Sequence, residues 1–332
     1  MIEKVLTISV AAYNVGKYIR ETLTSLVIKK NLDKLEVLIV DDGSTDSTAE
    51  IAQEFVEKYP YSFFYFKKTN GGHGSTINFA ITRATGKYFK VLDGDDSIAT
   101  EQLDCFIEYL GGIDCDLVLS DQIFLDVKKN AQLYKSVSGI EPLKVLKTSN
   151  LFVGSDCLLP NITIKTEKYR QGNYVISEGC FYDDLEWNYN CIRSTSDLVY
   201  WNKGLYLYTI GRVGQSVSLC SRQKNYKMLR NITISLSNRY KNDFKLNWFQ
   251  KECLKSMIAG ALYGTFIIYL SFHDTRAYEK ELESFVKVID VDIKKYCKSK
   301  YLLFNVYCLS KRWYRVLSLY YRYKKGIMYE GI

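Results

Sequence analysis

Residues 86–96 read Gly86-Lys-Tyr-Phe-Lys-Val-Leu-Asp93-Gly94-Asp95-Asp96, an apolar run that ends in a turn of acids. The β-forming residues predict a buried strand over Lys87 to Leu92, and Gly94 lets the backbone turn and approach a ligand where the carboxylates appear. In open α/β sheets ligands gather outside the carboxyl ends of the strands, so acids placed there face a binding crevice. Side chains two residues apart on an extended turn can point the same way and hold one hard divalent cation between them and a ligand. An ordinary acidic turn has the same composition, so the meaning of Asp93-Gly94-Asp95 depends on what surrounds it.

The segments on the N-terminal side repeat one pattern. Val5 to Ala12 reads as a buried strand, and Tyr18 to Ile28 as a helix with Ile19, Leu23, Leu26 and Val27 at helical spacing. Leu35 to Val40 (LEVLIV) supplies a second strand that closes on Asp41-Asp42-Gly43-Ser44. Ser44-Thr45-Asp46-Ser47 offers capping side chains for a helix through Ala49, Ile51, Ala52, Phe55 and Val56. Phe63 to Phe66 is a third strand and Ser75 to Thr85 a third helix. This succession predicts βαβ units on a mainly parallel sheet, with Asp41 and Asp42 after the second strand and Asp93, Asp95 and Asp96 after the fourth, converging on one crevice. Neither G-x-G-x-x-G nor G-x-x-x-x-G-K-[ST] occurs, so phosphates must be held by other means.

Four stretches in this order and spacing resemble the family 2 glycosyltransferases: TISVAAYN (7 to 14), VDDGSTDST (40 to 48), NGGHGSTIN (70 to 78) and GKYFKVLDGDD (86 to 96). The resemblance is close over residues 5 to 100 and continues more thinly to about 218. It implies a GT-A type nucleotide-diphospho-sugar transferase fold, a UDP-sugar donor and a Mn²⁺ or Mg²⁺ ion bound through the D-x-D. Transferred position by position, it sets Ala11 and Tyr13 beside the uracil and ribose, Asp42 on the uracil imide with Asp41 adjoining, and Asn70, Gly72 and Gly74 in the loop after the base. Asp93 and Gly94 then approach the ribose, and Asp95, with Asp93, ligates the metal. His73 becomes a candidate sugar or phosphate contact. The chain departs from the common pattern in having Ala11 where Pro is usual and Ile77 where Arg is frequent.

Glycosyl transfer also needs a base to take the acceptor hydroxyl's proton. In Gly179-Cys-Phe-Tyr-Asp183-Asp184-Leu-Glu186-Trp187, Asp184 stands where the family places that base, with Asp183 beside it and Glu186 as the alternative. Adjacent carboxylates raise one another's pKa, which suits a base working near neutrality. Acids complementing a helix N-terminus would look the same in sequence. Farther on, Arg212, Gln215 and Ser216 are candidates for phosphate or acceptor contacts.

Two regions are expected. Residues 1–220 are expected to form the catalytic domain, with a nucleotide-binding half (1–110) and an acceptor-side half (111–220); from 221 onward the pattern is helical, with no proline after Pro160. The apolar stretch Met257 to Phe272, at 16 residues, is short for a bilayer span and reads as a core helix.

The formal charge of +8 is unevenly spread: from Ser221 onward there are 22 Lys/Arg against 9 Asp/Glu, while the first 220 residues hold 23 against 28. Between Lys294 and Lys325 lie ten Lys/Arg, no acid and nine aromatic residues, with Trp313, Val316, Leu317, Tyr320 and Tyr321 at helical spacing and Arg312, Arg315 and Arg322 available to flank them. That bias suits a helix lying on an anionic membrane surface, or one packed on its own domain with a basic outer face; no nucleic-acid recognition motif accompanies it. Nine cysteines without a C-x-x-C pair and a start that runs straight into strand-forming residues suggest a cytoplasmic protein, peripheral on the inner face of the membrane.

The expected activity is therefore inverting, metal-dependent transfer of a hexose or N-acetylhexosamine from a UDP-sugar to a glycan acceptor of the cell surface, lipid-linked or protein-linked. The rivals are a sugar-phosphate nucleotidyltransferase, whose Gly-rich basic N-terminal signature is absent from Val5 to Gly16, and a non-catalytic nucleotide-sugar-binding scaffold.

Overall fold

The computed structural model describes residues 3–152, 158–212, 218–273, 275–310 and 313–325. The chain divides into two compact units, Met1–Val213 and Gly214–Ile332.

In the first unit, β1 (Leu6–Ala12), β2 (Leu35–Asp41), β3 (Phe63–Lys67) and β4 (Tyr88–Asp93) run parallel in the order β3-β2-β1-β4. The helices between them are α1 (Ile19–Ser25), α2 (Thr48–Lys58) and α3 (His73–Arg83). Residues 35–41 are buried at every position, as expected of a strand covered on both faces, and this is why LEVLIV reads as an unbroken apolar run. A short strand β5 (Ser97–Ile98) and α4 (Thr100–Gly112) follow; Leu103, Phe106, Ile107 and Leu110 seat α4 in the core, where Phe106 meets Trp201 edge-on.

Beyond α4 the sheet becomes mixed. It continues through β6 (Leu117–Asp126), β7 (Ala131–Lys135), β8 (Leu146–Lys147), β9 (Ile162–Lys165) and β10 (Asp197–Ile210), with α5 (Thr166–Arg170) and α6 (Asp184–Ser194) inserted before β10. β10 runs parallel to β6, but β9 is antiparallel to both of its neighbours, β4 and β6. The buried lysine Lys90 on β4 donates to the Pro160 and Ile162 carbonyls at 2.7 and 3.3 Å, fastening the head of β9 to the centre of the sheet. The expected fold class thus holds, with the parallel order interrupted where β9 enters.

The second unit is helical: α7 (Leu219–Lys224), α8 (Tyr226–Asn242), α9 (Trp248–Ser271), α10 (Thr275–Val288), α11 (Val291–Lys300), α12 (Leu302–Leu309) and α13 (Tyr314–Lys324). Asn247 and Gln250 form a reciprocal capping box that starts α9. Among the described residues α9 alone is long and apolar enough to cross a membrane, yet Leu254, Ile258, Leu262, Phe266 and Tyr269 are all fully buried. It is the core helix of this unit, touched by α8, α10, α11 and α13.

The apolar stripe expected in α13 is split. Tyr314 and Leu317 turn inward, with Tyr314 Oη donating to the Tyr269 carbonyl and Ser318 Oγ to the Leu270 carbonyl, both at 2.8 Å, whereas Trp313, Val316 and Tyr320 stay outside. Arg312 lies outside the described residues.

Candidate active site

Register brings the first set of carboxylates together. Ala11 pairs with Asp93 and Ala12 with Asp41, so the ends of β2 and β4 flank the end of β1. Gly94 N–H donates to the Ala11 carbonyl at 2.9 Å, and a Cβ on Gly94 would stand 2.6 Å from that same oxygen. The D-G-D turn therefore requires glycine for space, and Thr22 Oγ1 closes it by donating to the Gly94 carbonyl.

The acids after β2 shape loops. Asp42 is 2% exposed; its Oδ1 accepts from Lys68 Nζ at 2.7 Å and Gly71 N–H at 2.9 Å, and its Oδ2 from Gly72 N–H at 2.7 Å. Asn70 Nδ2 donates to the Asp42 carbonyl, and Gly72 adopts φ +84°. In this arrangement both oxygens of Asp42 hold the glycine loop. Asp41, fully buried, accepts from Ser44 N–H and Tyr65 Oη. Ala11 is half-buried, while the Tyr13 ring is 53% exposed at the end of β1.

His73 joins the two halves of the unit. Its Nδ1 lies 2.7 Å from Asp183 Oδ2, and its Nε2 lies 3.1 Å from Asp93 Oδ1, an ion pair without hydrogen-bond alignment. Burial opposes a charge on the imidazole, but Asp183 and Asp93 together raise its pKa well above the ordinary value. Asp93 in turn is held below its usual range: burial works against ionisation, and the imidazole outweighs it. The expected role of His73 as a direct sugar or phosphate contact competes with this double engagement, which sequence does not reveal because Asp183 lies 110 residues away.

Tyr206 was not among the expected residues. Its hydroxyl accepts from Asp93 N–H at 3.2 Å and donates to Asp96 Oδ2 at 2.9 Å, while Thr209 N–H donates to Asp96 Oδ1. Burial, then the charges of Asp93 and Asp95, push the Asp96 carboxyl up to about 8. Asp95 is also raised, by burial and by Asp93. Arg212 answers this charge: its guanidinium donates to the Asp95 carbonyl, lies 3.6 Å from Asp95 Oδ2 and stacks 4.3 Å from the Tyr18 ring centre. Gln215 and Ser216 lie outside the described residues.

Asp184 begins α6, whose seat is set by Trp187, fully buried between Phe89 and Tyr169 at 5.7 and 4.6 Å. Burial, then the negative charge of Asp183, lift the Asp184 carboxyl to about 6. Glu186 is otherwise engaged: its carboxylate accepts from Ser177 N–H at 2.7 Å and Ser177 Oγ at 3.1 Å, and it is 8% exposed. Both oxygens of Glu186 thus serve the 176–183 loop. The same loop is bound to the donor side: Gly179 N–H donates to the Gly71 carbonyl, and the Asn78 amide exchanges two bonds with the Ile176 backbone.

The chain offers a cation few ligands. Among the described residues no group of three His, Cys, Asp or Glu side chains gathers as a ligand cluster. Asp93 is engaged by His73, which leaves the Asp95 carboxylate, 35% exposed and raised by its acidic neighbours, as the group a cation would relieve. Such a donor set fits an ion that completes its oxygen shell from a diphosphate and water.

Residues 7–159 match the model of glycosyl transferase family 2. Glycosyltransferase GlyG of Streptococcus pneumoniae is 26% identical over 216 residues, covering 62% of this chain and 70% of that protein. The minor teichoic acid biosynthesis protein GgaB of Bacillus subtilis is 34% identical over 88 residues, covering 26% of this chain and 10% of GgaB. Among solved structures, TarS of S. aureus in complex with UDP-GlcNAc superposes with a TM-score of 0.63 at 19% identity, covering 98% of this chain and 93% of that one, which shows the GT-A fold. Residues 7–159 thus carry a glycosyl transferase family 2 region, and the chain is a glycosyltransferase enzyme.

Proposed function

We propose that this enzyme transfers a hexose or N-acetylhexosamine from a UDP-sugar to a hydroxyl of a cell-surface glycan acceptor, with inversion and with Mn²⁺ or Mg²⁺. The observation that carries the reading is the link through His73, which gathers the D-G-D turn and the Asp183-Asp184 step into one cleft. In this reading Tyr13 stacks on the uracil, and the glycine loop from Asn70 to Gly74, held by Asp42, lies along the nucleoside. Asp95 would hold the cation, which supplies neutralising charge to the diphosphate as it departs. Arg212 contributes a second positive charge beside it.

Asp184 acts as the base. Its carboxylate takes the acceptor hydroxyl's proton as that oxygen attacks the anomeric carbon from the face opposite the diphosphate. The new C–O bond forms while the bond to the diphosphate oxygen breaks, and UDP leaves with that electron pair. A carboxyl lifted to about 6 is ionised at neutral pH yet is a stronger base than an ordinary aspartate.

The cell-surface acceptor is supported by the name of GgaB and by the basic aromatic C-terminal region, which would hold the enzyme peripherally at the inner face of the membrane. A thermal-shift series with UDP-, GDP- and dTDP-sugars, each with and without Mn²⁺, tests the donor: the reading expects stabilisation by UDP-sugars that grows with Mn²⁺. Equal shifts across nucleotides would overturn the uridine assignment. Pyrophosphate release from UTP and a sugar phosphate would indicate nucleotidyl transfer instead.

A further inference from the structure

We infer that the outer face of α13 is a membrane-docking surface that seats the enzyme on anionic lipid. The inference deepens the reading of a membrane-borne acceptor. On a helix of 3.6 residues per turn, Leu319, Tyr323, Val316, Tyr320 and Trp313 occupy one continuous arc of about 120°. These five are 51, 75, 51, 48 and 50% exposed, and among the described residues of the helix no polar side chain interrupts the arc. Arg315 borders it on one side and Lys324 on the other.

The opposite face is already occupied. Tyr314, Leu317, Ser318 and Arg322 are buried, with hydroxyls bonded to the end of α9 and Arg322 Nη1 2.7 Å from His273 Nδ1. The helix is thus fixed by its inner side, and its apolar outer side is left to face water. Single exposed apolar residues are ordinary, but five on one arc form a patch of the kind that marks an interaction site. The preceding α12 leaves Leu302 and Leu309, seven residues apart on one of its own faces, 75 and 79% exposed.

Charge selects the occupant. From Lys294 to Lys325 there are ten Lys/Arg and no acid, and Arg315 Nε pairs with Glu279 at 3.9 Å. An aromatic and aliphatic arc with a cationic margin matches the boundary between acyl chains and anionic headgroups, where Trp and Tyr rings settle. A second copy of this chain would bring the same positive margin against itself.

The test uses the full chain and vesicles of phosphatidylcholine alone or mixed with phosphatidylglycerol. The wild type should co-sediment with the mixed vesicles, and a variant carrying Trp313→Ser, Tyr320→Ser and Tyr323→Ser should bind them roughly tenfold or more weakly, with an unchanged thermal midpoint. A second variant, Arg315→Glu with Lys324→Glu, should lose the preference for anionic vesicles. Equal binding by wild type and the triple-serine variant overturns the inference, as does a wild type that binds neither vesicle. A concentration-dependent dimer that the serine variant abolishes would give the face to a second copy and also overturn it. Transfer to a soluble acceptor separates the two claims: vesicle binding without any transfer would refute the proposed reaction and leave the docking surface standing, whereas transfer without vesicle binding would do the reverse.

Discussion

His73 Nδ1 lies 2.7 Å from Asp183 Oδ2, across 110 residues of sequence, so the side chain that opens α3 fixes the residue in front of Asp184. Asp183 is the N-cap residue of α6 but makes no side-chain capping bond; its carboxylate is turned to the imidazole instead. Replacing His73 with Ala removes that hold while leaving Asp184 in place chemically. A displacement of about 1 Å at a reacting group costs on the order of 10²-fold in rate. The expected outcome is a kcat loss of that order with a smaller change in donor KM, and partial recovery in His73→Gln, whose amide can still donate to Asp183. A fall confined to KM would assign His73 to ligand contact.

Asp184 couples activity and stability through pH in opposite directions. Its folded pKa of about 6 stands above the ordinary aspartate value of 3.8, so the folded state binds the extra proton between those values. Stability contributed by this group is full below about 4 and is lost as pH rises through 6; Asp96, pushed up to about 8, extends the decline. Catalysis requires the ionised form, so kcat/KM should rise through pH 6 as stability falls. Asp184→Asn should abolish transfer, retain donor binding and gain stability relative to wild type at pH 7.5 but not at pH 4. Denaturant melts at both pH values, beside a pH–rate profile, measure this; turnover by the Asn variant would remove Asp184 from the base role.

For the cation, the informative variant is Asp95→Asn. It keeps the volume of the turn and deletes the charge opposite Arg212. The Mn²⁺-dependent part of the UDP-sugar thermal shift should vanish, while the shift with UDP-sugar alone persists. An unchanged response to Mn²⁺ would place the ion elsewhere.

Gly74 is the clearest steric test. A Cβ there would stand 2.5 Å from the Ser177 carbonyl and 2.8 Å from Ile176 Cγ2. Gly74→Ala should cost about 1–3 kcal/mol, as overpacking does, lowering the melting midpoint of the first unit by roughly 2–10 °C. Gly112, with nothing within 4 Å, serves as the control and should tolerate alanine without loss.

The parallel half of the sheet was legible because buried strands and their connecting helices differ in period, and LEVLIV and YFKVL are each apolar but for one charged residue. β9 was not: ITIK is four residues long, and nothing in so short a segment distinguishes a parallel from an antiparallel neighbour. Glu186 and Asp184 look equivalent in sequence, three residues inside one acidic run, and only the fold decides that Glu186 serves Ser177. Likewise Leu317 and Val316 are interchangeable as apolar residues; the inward side of α13 is chosen by Tyr314 and Ser318, whose hydroxyls find carbonyls at the end of α9. Tyr206 escaped notice because a tyrosine in a strand reads as core until its hydroxyl meets Asp96.

The bonds from Gly71 to Gly179 and from Asn78 to Ile176 have a consequence for engineering. A designer who wishes to change donor preference would naturally exchange the N-terminal stretch through β4 with that of a relative and keep the remainder. Such a hybrid cuts the chain between partners that grip each other through backbone and amide hydrogen bonds, and inherits a glycine loop cut to fit a different mate. Crossover points that preserve function must carry residues 70–78 and 176–187 together, as a single inherited cassette, although more than ninety residues of other structure lie between them in sequence.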